Sequence, residues 1–164
     1  MSIYVLQVRS GKEEAVCRML HAAEIAAFAP IKKVFLRRGG KWHEETKPIF
    51  PQYVFVQSPF RNPHTYQIIR RTDGFVRFLG DNIPQSISKK EEAWILWLRN
   101  GGKPVGVSRV LDTQGGVKLV LDGALRHCPE ADYEIEYQLR QRRAVVRITL
   151  MGRKHKITLP VMPV

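Results

Sequence analysis

Residues 48–57 read P-I-F-P-Q-Y-V-F-V-Q. The run 53–56 is entirely β-branched or aromatic, a composition that favours a strand. Side chains alternate between the two faces of a strand, so Val54 and Val56 point one way and Tyr53 and Phe55 the other. Both faces are therefore apolar. A sheet face turned to water alternates apolar with polar residues. This strand must either be covered on both sides by its own protein or keep one face for a partner.

The surrounding pattern supplies cover. Residues 3–8 predict a first strand. Gly11-Lys12-Glu13-Glu14 opens a helix with acids in its first turn, where the helix dipole favours them. Val16, Met19, Leu20 and Ala23 continue a helical stripe that must end before Pro30. Residues 31–36 predict a second strand, and R-R-G-G-K at 37–41 a turn into a third at 42–49. Asn62-Pro63 is an N-cap with proline at the first helical position, opening a helix that runs to about Arg71. F-V-R-F-L at 75–79 is strand-like. S-K-K-E at 88–91 is a capping box ahead of W-I-L-W-L, so a third helix runs to about Arg99.

Composition then changes. Residues 100–116, N-G-G-K-P-V-G-V-S-R-V-L-D-T-Q-G-G, hold five glycines and one proline and predict a linker. Beyond it lie short strand patterns at 117–121, 133–137, 144–150 and 154–159, with no convincing helix, a pattern that fits a small β-barrel. The expected organisation is an α+β domain at 1–100, a flexible linker at 101–115 and a barrel at 116–164.

The chain carries 27 Lys plus Arg against 15 Asp plus Glu, a formal net charge of +12 in 164 residues. Residues 1–100 hold 16 basic and 9 acidic residues, and 101–164 hold 11 and 6, so both halves are basic. Such a balance points to a polyanionic partner. No apolar run approaches the roughly 18 residues of a membrane span, nor the core of a signal peptide. Nucleic acid is therefore the better partner than a membrane, and the cytoplasm the expected compartment. Cys17 and Cys128 are single and far apart, which fits buried small hydrophobes. Enzyme signatures are thin. R-R-G-G-K lacks P-loop spacing, no H-E-x-x-H occurs, the five histidines show no metal spacing, and no nucleophile elbow appears. A binding protein without metal or cofactor is expected, not an enzyme.

The order of motifs is specific. I-Y-V-L-Q-V-R-S-G-K-E opens the chain, F-P-Q-Y-V-F-V follows, then G-F-V-R-F-L-G, P-Q-S-I-S-K-K-E and finally R-R-A-V-V-R-I-T-L-M-G-R. Over nearly its whole length the chain resembles the NusG family of transcription elongation factors. The resemblance implies an N-terminal antiparallel sheet flanked by helices (the NGN domain) and a C-terminal SH3-like barrel (the KOW domain). It implies that an apolar cavity lined by the F-P-x-Y motif receives the clamp helices of RNA polymerase. Phe50, Pro51 and Tyr53 match that motif and Tyr4 matches an aromatic of the first strand, while Val54, Val56 and Phe55 are expected in the core. The sequence departs from the family pattern at Ile3, where Trp is common, and at Gln52, where Gly is common. D-G-A-L-R-H-C-P-E at 122–130 lacks a second glycine, so that turn must close differently.

Among specialised relatives (RfaH, UpxY and LoaP), the charge and the run at 140–154 look most like LoaP. That likeness implies processive antitermination and recognition of an RNA hairpin. His64-Thr65 falls where RfaH touches the polymerase gate loop. Three basic clusters can meet phosphate: Lys32, Lys33, Arg37, Arg38 and Lys41; Arg9, Arg70, Arg71 and Arg77, which in RfaH-like relatives would face non-template DNA; and Arg140, Arg142, Arg143, Arg153 and Lys154. Trp42 and His43 could stack on a base, although packing is the commoner fate of a Trp. A monomer is expected. The alternatives are the general elongation factor and a ribosome-associated KOW protein acting in translation.

Overall fold

A computed structural model describes residues 2–57, 63–80, 83–129 and 135–164. In chain order the elements are β1 (Ile3–Val8), α1 (Glu13–Ala22), β2 (Ala26–Phe28), β3 (Ile31–Arg38), β4 (Lys41–Pro48), β5 (Tyr53–Gln57), α2 (Pro63–Arg71), β6 (Phe75–Phe78), α3 (Lys89–Arg99), β7 (Ser108–Asp112), β8 (Lys118–Val120), β9 (Ile135–Gln138), β10 (Arg143–Leu150) and β11 (Arg153–Pro163). They fall into two compact units, Met1–Ala29 with Phe50–Glu92, and Pro30–Ile49 with Ala93–Val164. The α+β expectation holds. Among the described residues no helix is long and apolar enough to cross a membrane.

The first unit is built on an antiparallel sheet ordered β2-β5-β1-β6. One face, carrying Leu6, Val8, Val54, Val56 and Phe78, packs against Val16, Cys17 and Leu20 of α1 and Tyr66 and Ile69 of α2. Val54 and Val56 thus point under the helices, as their alternation predicts. The opposite face carries Val5, Tyr53, Phe55 and Phe28, with Phe55 buried and stacked on Phe28 at 5.6 Å between ring centroids.

Strand β2 has no warning in the sequence. Helix α1 stops without glycine: Glu24 takes the left-handed conformation (φ 61°). The Ile25 N–H bonds the Leu20 carbonyl at 2.9 Å and the Glu24 N–H bonds the His21 carbonyl at 2.9 Å. This is the double bond of a Schellman cap, with Leu20 and Ile25 in the same core cluster. The chain can then reverse into β2. The capping box at α3 forms as expected, the Glu91 N–H donating to Ser88 Oγ at 3.2 Å. Asn62, expected to cap α2, and Tyr133 lie outside the described residues.

The second unit is a curled five-stranded sheet ordered β8-β7-β11-β10-β9 and a separate hairpin, β3–β4. The pairing is antiparallel except between β11 and β7. Ala144, Val146, Ile148 and Leu150 of β10 are buried at every second position, as are Ile157, Leu159 and Val161 of β11. Strand β7 lies inside the segment read as a linker. Its glycine-rich flanks mask a five-residue strand whose Ser108 and Val110 are buried. The turn that lacks a second glycine closes through a short 3-10 segment, Ala124–His127, after Gly123 at φ 89°. Glycine is needed there for space as well as for φ, since a Cβ would lie 2.5 Å from Ser108 Cα. The Ser108 hydroxyl accepts the Leu125 N–H at 3.0 Å.

The hairpin pairs Arg38 with Lys41 across Gly39-Gly40, both glycines at positive φ (57° and 76°). That is the type I′ geometry whose twist suits a two-residue hairpin. At its base the Lys33 N–H bonds the Val105 carbonyl at 3.0 Å and the Val105 N–H bonds the Ile31 carbonyl at 2.8 Å. The hairpin is thus tied to the chain leading into β7.

Candidate functional site

The F-P-Q-Y segment forms a tight turn joining β4 to β5. Proline fixes φ near −65° at its second position. Gln52 follows at φ 71°, and the Tyr53 N–H closes onto the Phe50 carbonyl at 3.1 Å. Proline followed by a left-handed residue is the type II pattern, in which glycine usually takes the third place. Here Gln52 takes it and is held from both sides. Its N–H donates to Glu13 Oε1 at 2.8 Å, and its carbonyl accepts the Val8 N–H at 2.8 Å.

The turn sets two rings in parallel. Phe50 and Tyr53 stack with centroids 6.4 Å apart and 15° between planes, and Phe50 meets Phe55 edge-on at 5.6 Å. Phe50 is 3% exposed, whereas Tyr53 is half-buried and Pro51 and Gln52 are exposed. The surface of this motif is therefore Pro51, Gln52 and part of Tyr53, with Phe50 buried. Tyr4 is not part of it. It pairs with Val56 and shares the helix-side face with Leu6, opposite the face of Tyr53. His64 and Thr65 stand in the first turn of α2, His64 exposed and Thr65 half-buried.

The first unit also holds Arg9, Arg70, Arg71 and Arg77. Arg9 pairs with Asp73 at 2.5 Å, Arg70 lies over the Tyr66 ring at 5.6 Å, and Arg77 Nε donates to Gln7 Oε1 at 2.6 Å. Arg71 is exposed at the end of α2. Three of these four cations are thus engaged within the unit.

The hairpin and barrel clusters belong to one unit, and the structure brings parts of them together. Arg142 lies over the Trp42 ring at 4.5 Å and over Phe35 at 5.9 Å, while Arg37 lies over Trp42 at 5.7 Å. Half-buried Trp42 thus has two guanidinium groups over its ring, a cation–π arrangement. Arg142 adopts φ 54°, a left-handed conformation at the entry to β10. Lys33 pairs with Glu44 at 3.2 Å and Arg38 with Glu45 at 3.0 Å, both on exposed strand faces. Arg143 Nε donates to Gln138 Oε1 at 2.6 Å. Lys41 at the tip, Arg140, Arg153 and Lys154 are exposed.

Lys32 departs from the expected role. It is 8% exposed and its ammonium donates to the Thr158 carbonyl at 2.7 Å and hydroxyl at 2.5 Å, fastening the hairpin to β11. Burial, with Lys47 and Arg143 adding like-charge repulsion, pushes its pKa down to about 8. It is a structural cation rather than a phosphate contact. Sequence reasoning read it as one of a surface pair because Lys32 and Lys33 adjoin, yet neighbours on a strand face opposite ways. Glu13 also has a role that its place in the first helical turn does not reveal, since its carboxylate holds the Gln52 N–H.

Residues 1–96 match the protein family described as "Transcription termination factor nusG". No curated protein matches the chain. Among solved structures, NusG of Thermotoga maritima matches with a TM-score of 0.56 at 20% identity, over 97% of this chain and 93% of that one. That likeness is one of fold.

Proposed function

The chain belongs to the NusG family, and on that premise we propose that it is a processive antiterminator that rides on RNA polymerase and acts by binding rather than catalysis. The first unit docks the polymerase clamp helices through Pro51, Tyr53 and the underlying Phe50. His64 and Thr65 form an accessory contact. The observation that carries this reading is the F-P-Q-Y turn, which offers a stacked ring pair whose Tyr53 is half-buried beside exposed Pro51. Partly exposed aromatic anchors suit the centre of a protein interface.

The second unit meets a polyanion through Arg37, Arg38, Lys41, Arg140, Arg142, Arg143, Arg153 and Lys154. A structured RNA stem is the ligand favoured by the likeness to LoaP, since A-form helices are recognised through backbone and shape. Arg9, Arg70, Arg71 and Arg77 are the corresponding contacts for non-template DNA. The protein works as a monomer in the cytoplasm, with an NGN domain drawn from residues 1–100 and a KOW domain built on the barrel strands, of which β7 lies within 101–115.

The test is Phe50→Ala with Tyr53→Ala. Losing two anchors at about 2 kcal/mol each weakens polymerase binding by roughly 1,000-fold. Tyr53→Ala alone, at the half-buried ring, separates binding from folding. Polymerase binding by a folded Tyr53→Ala variant at the wild-type level would overturn the reading.

A further inference from the structure

Gln52 is exposed, carries a side chain and nonetheless holds a left-handed backbone at the centre of the F-P-Q-Y turn. For an L-residue other than glycine this conformation is disfavoured, because Cβ approaches the following carbonyl oxygen. Something must hold it. The turn's own bond, from the Tyr53 N–H to the Phe50 carbonyl, does not involve Gln52's polar groups. Two groups from elsewhere in the unit do. One is the Val8 N–H, on the end of β1. The other is the carboxylate of Glu13, the first residue of α1.

Glu13 is an unusual choice for a surface helix. It is 7% exposed, and α1 has no side-chain cap on its first turn. A carboxylate at a helix N-terminus sits in the favourable field of the free N–H groups. There it can be kept inside and spend its acceptor capacity on a turn 39 residues away in sequence. A charged acceptor gives a stronger and more directional bond than a neutral one.

We infer that Glu13 is the positioning residue of the Phe50–Tyr53 turn: it fixes the left-handed Gln52 and thereby the orientation of the ring pair that polymerase meets. The inference rests on the reading of this turn as the polymerase-docking element. Gln52 is exposed, so water can take over its N–H when the carboxylate is removed. What is lost is the bias toward one turn conformer. Glycine at 52 has little need of that bias, because it visits left-handed backbone freely.

The experiment is a double-mutant cycle of Glu13→Ala and Gln52→Gly, read by polymerase affinity and by hydrogen exchange of the residue 52 amide in the free protein. Glu13→Ala lowers affinity roughly tenfold, the order expected from the left-handed penalty. It also exposes the residue 52 amide to exchange. Gln52→Gly sets the reference level for the cycle, and adding Glu13→Ala to it costs less than about twofold in further affinity. Glu13→Gln, which keeps the shape and a neutral acceptor, falls between and serves if the alanine variant does not fold. Wild-type affinity in Glu13→Ala overturns the inference. So does a tenfold loss when Glu13→Ala is added to Gln52→Gly, which would mean that the carboxylate matters for another reason. Failure of the docking reading is seen separately: Tyr53→Ala then binds like wild type, while exchange at residue 52 still reports whether Glu13 holds the turn.

Discussion

Among the described residues each compact unit buries one charged side chain, and the two serve opposite surroundings. Glu13 in the first unit lies at a helix N-terminus and accepts one backbone N–H from an exposed turn. Lys32 in the second unit lies between a hairpin and β11 and donates to the carbonyl and hydroxyl of Thr158. The anion sits in a favourable dipole field. The cation sits in a unit rich in Arg and Lys, with Lys47 and Arg143 opposing its charge. Both fasten a loop segment that carries candidate contacts, but only the cation does so against its neighbours. In a basic protein a buried acid is an easier anchor than a buried lysine, and burial makes the hairpin attachment sensitive to alkaline pH.

That difference can be measured directly. The folded pKa of Lys32 is depressed to about 8 from 10.5, so between those values the unfolded chain binds more protons than the folded one. Stability therefore rises as pH rises through this window. From pH 7 to 9.5 the gain from this group is about 2 kcal/mol. Lys32→Met removes it, so the denaturant midpoint of the variant changes less with alkalinity than that of wild type. Tyr137 works the other way, since burial raises its hydroxyl pKa, and comparison with the variant cancels its share. A variant with the same pH slope as wild type would mean that Lys32 is not a buried cation.

A smaller effect separates two ways of holding left-handed backbone. Gln52 is fixed by a carboxylate, whereas Arg142 lies over the Trp42 ring. Arg142→Ala keeps the backbone penalty and loses the ring contact. Arg142→Gly loses the contact but relieves the penalty. The glycine variant should be the more stable by about 1 kcal/mol in equilibrium unfolding. Equal stability would show that position 142 is not strained.

These anchors mark where the sequence stopped being legible. Local pattern was enough for β1, β3, β4, β5, β6 and the three helices, because strand alternation, the S-K-K-E box and the G-G turn are all near-neighbour signals. The α+β class and the two faces of β5 followed from the same kind of signal. What failed depended on distant partners or on absent glycines. Strand β2 was hidden because Glu24, not glycine, ends α1. Strand β7 was hidden by its glycine-rich flanks, although it pairs with β11 some fifty residues later. Lys32 looked like surface charge because its acceptors lie on β11. For the candidate site, the motif located the turn, but only the fold separates Tyr4 from Tyr53 and sets Phe50 beneath the surface.

The central claim is that polymerase docking belongs to the aromatic turn of the first unit and RNA binding to the cations of the second. The most direct measurement is the polymerase affinity of a variant with Arg38, Lys41, Arg143, Arg153 and Lys154 all changed to Ala, set beside that of Phe50→Ala with Tyr53→Ala, with a leader RNA hairpin titrated against both. The cation variant should keep polymerase affinity within about threefold. It should lose RNA binding and flatten a log K against log salt slope that is near −4 for about five neutralised phosphates. The turn variant should lose polymerase and keep RNA. A cation variant that loses polymerase as severely as the turn variant, or a turn variant that loses RNA, would contradict the account.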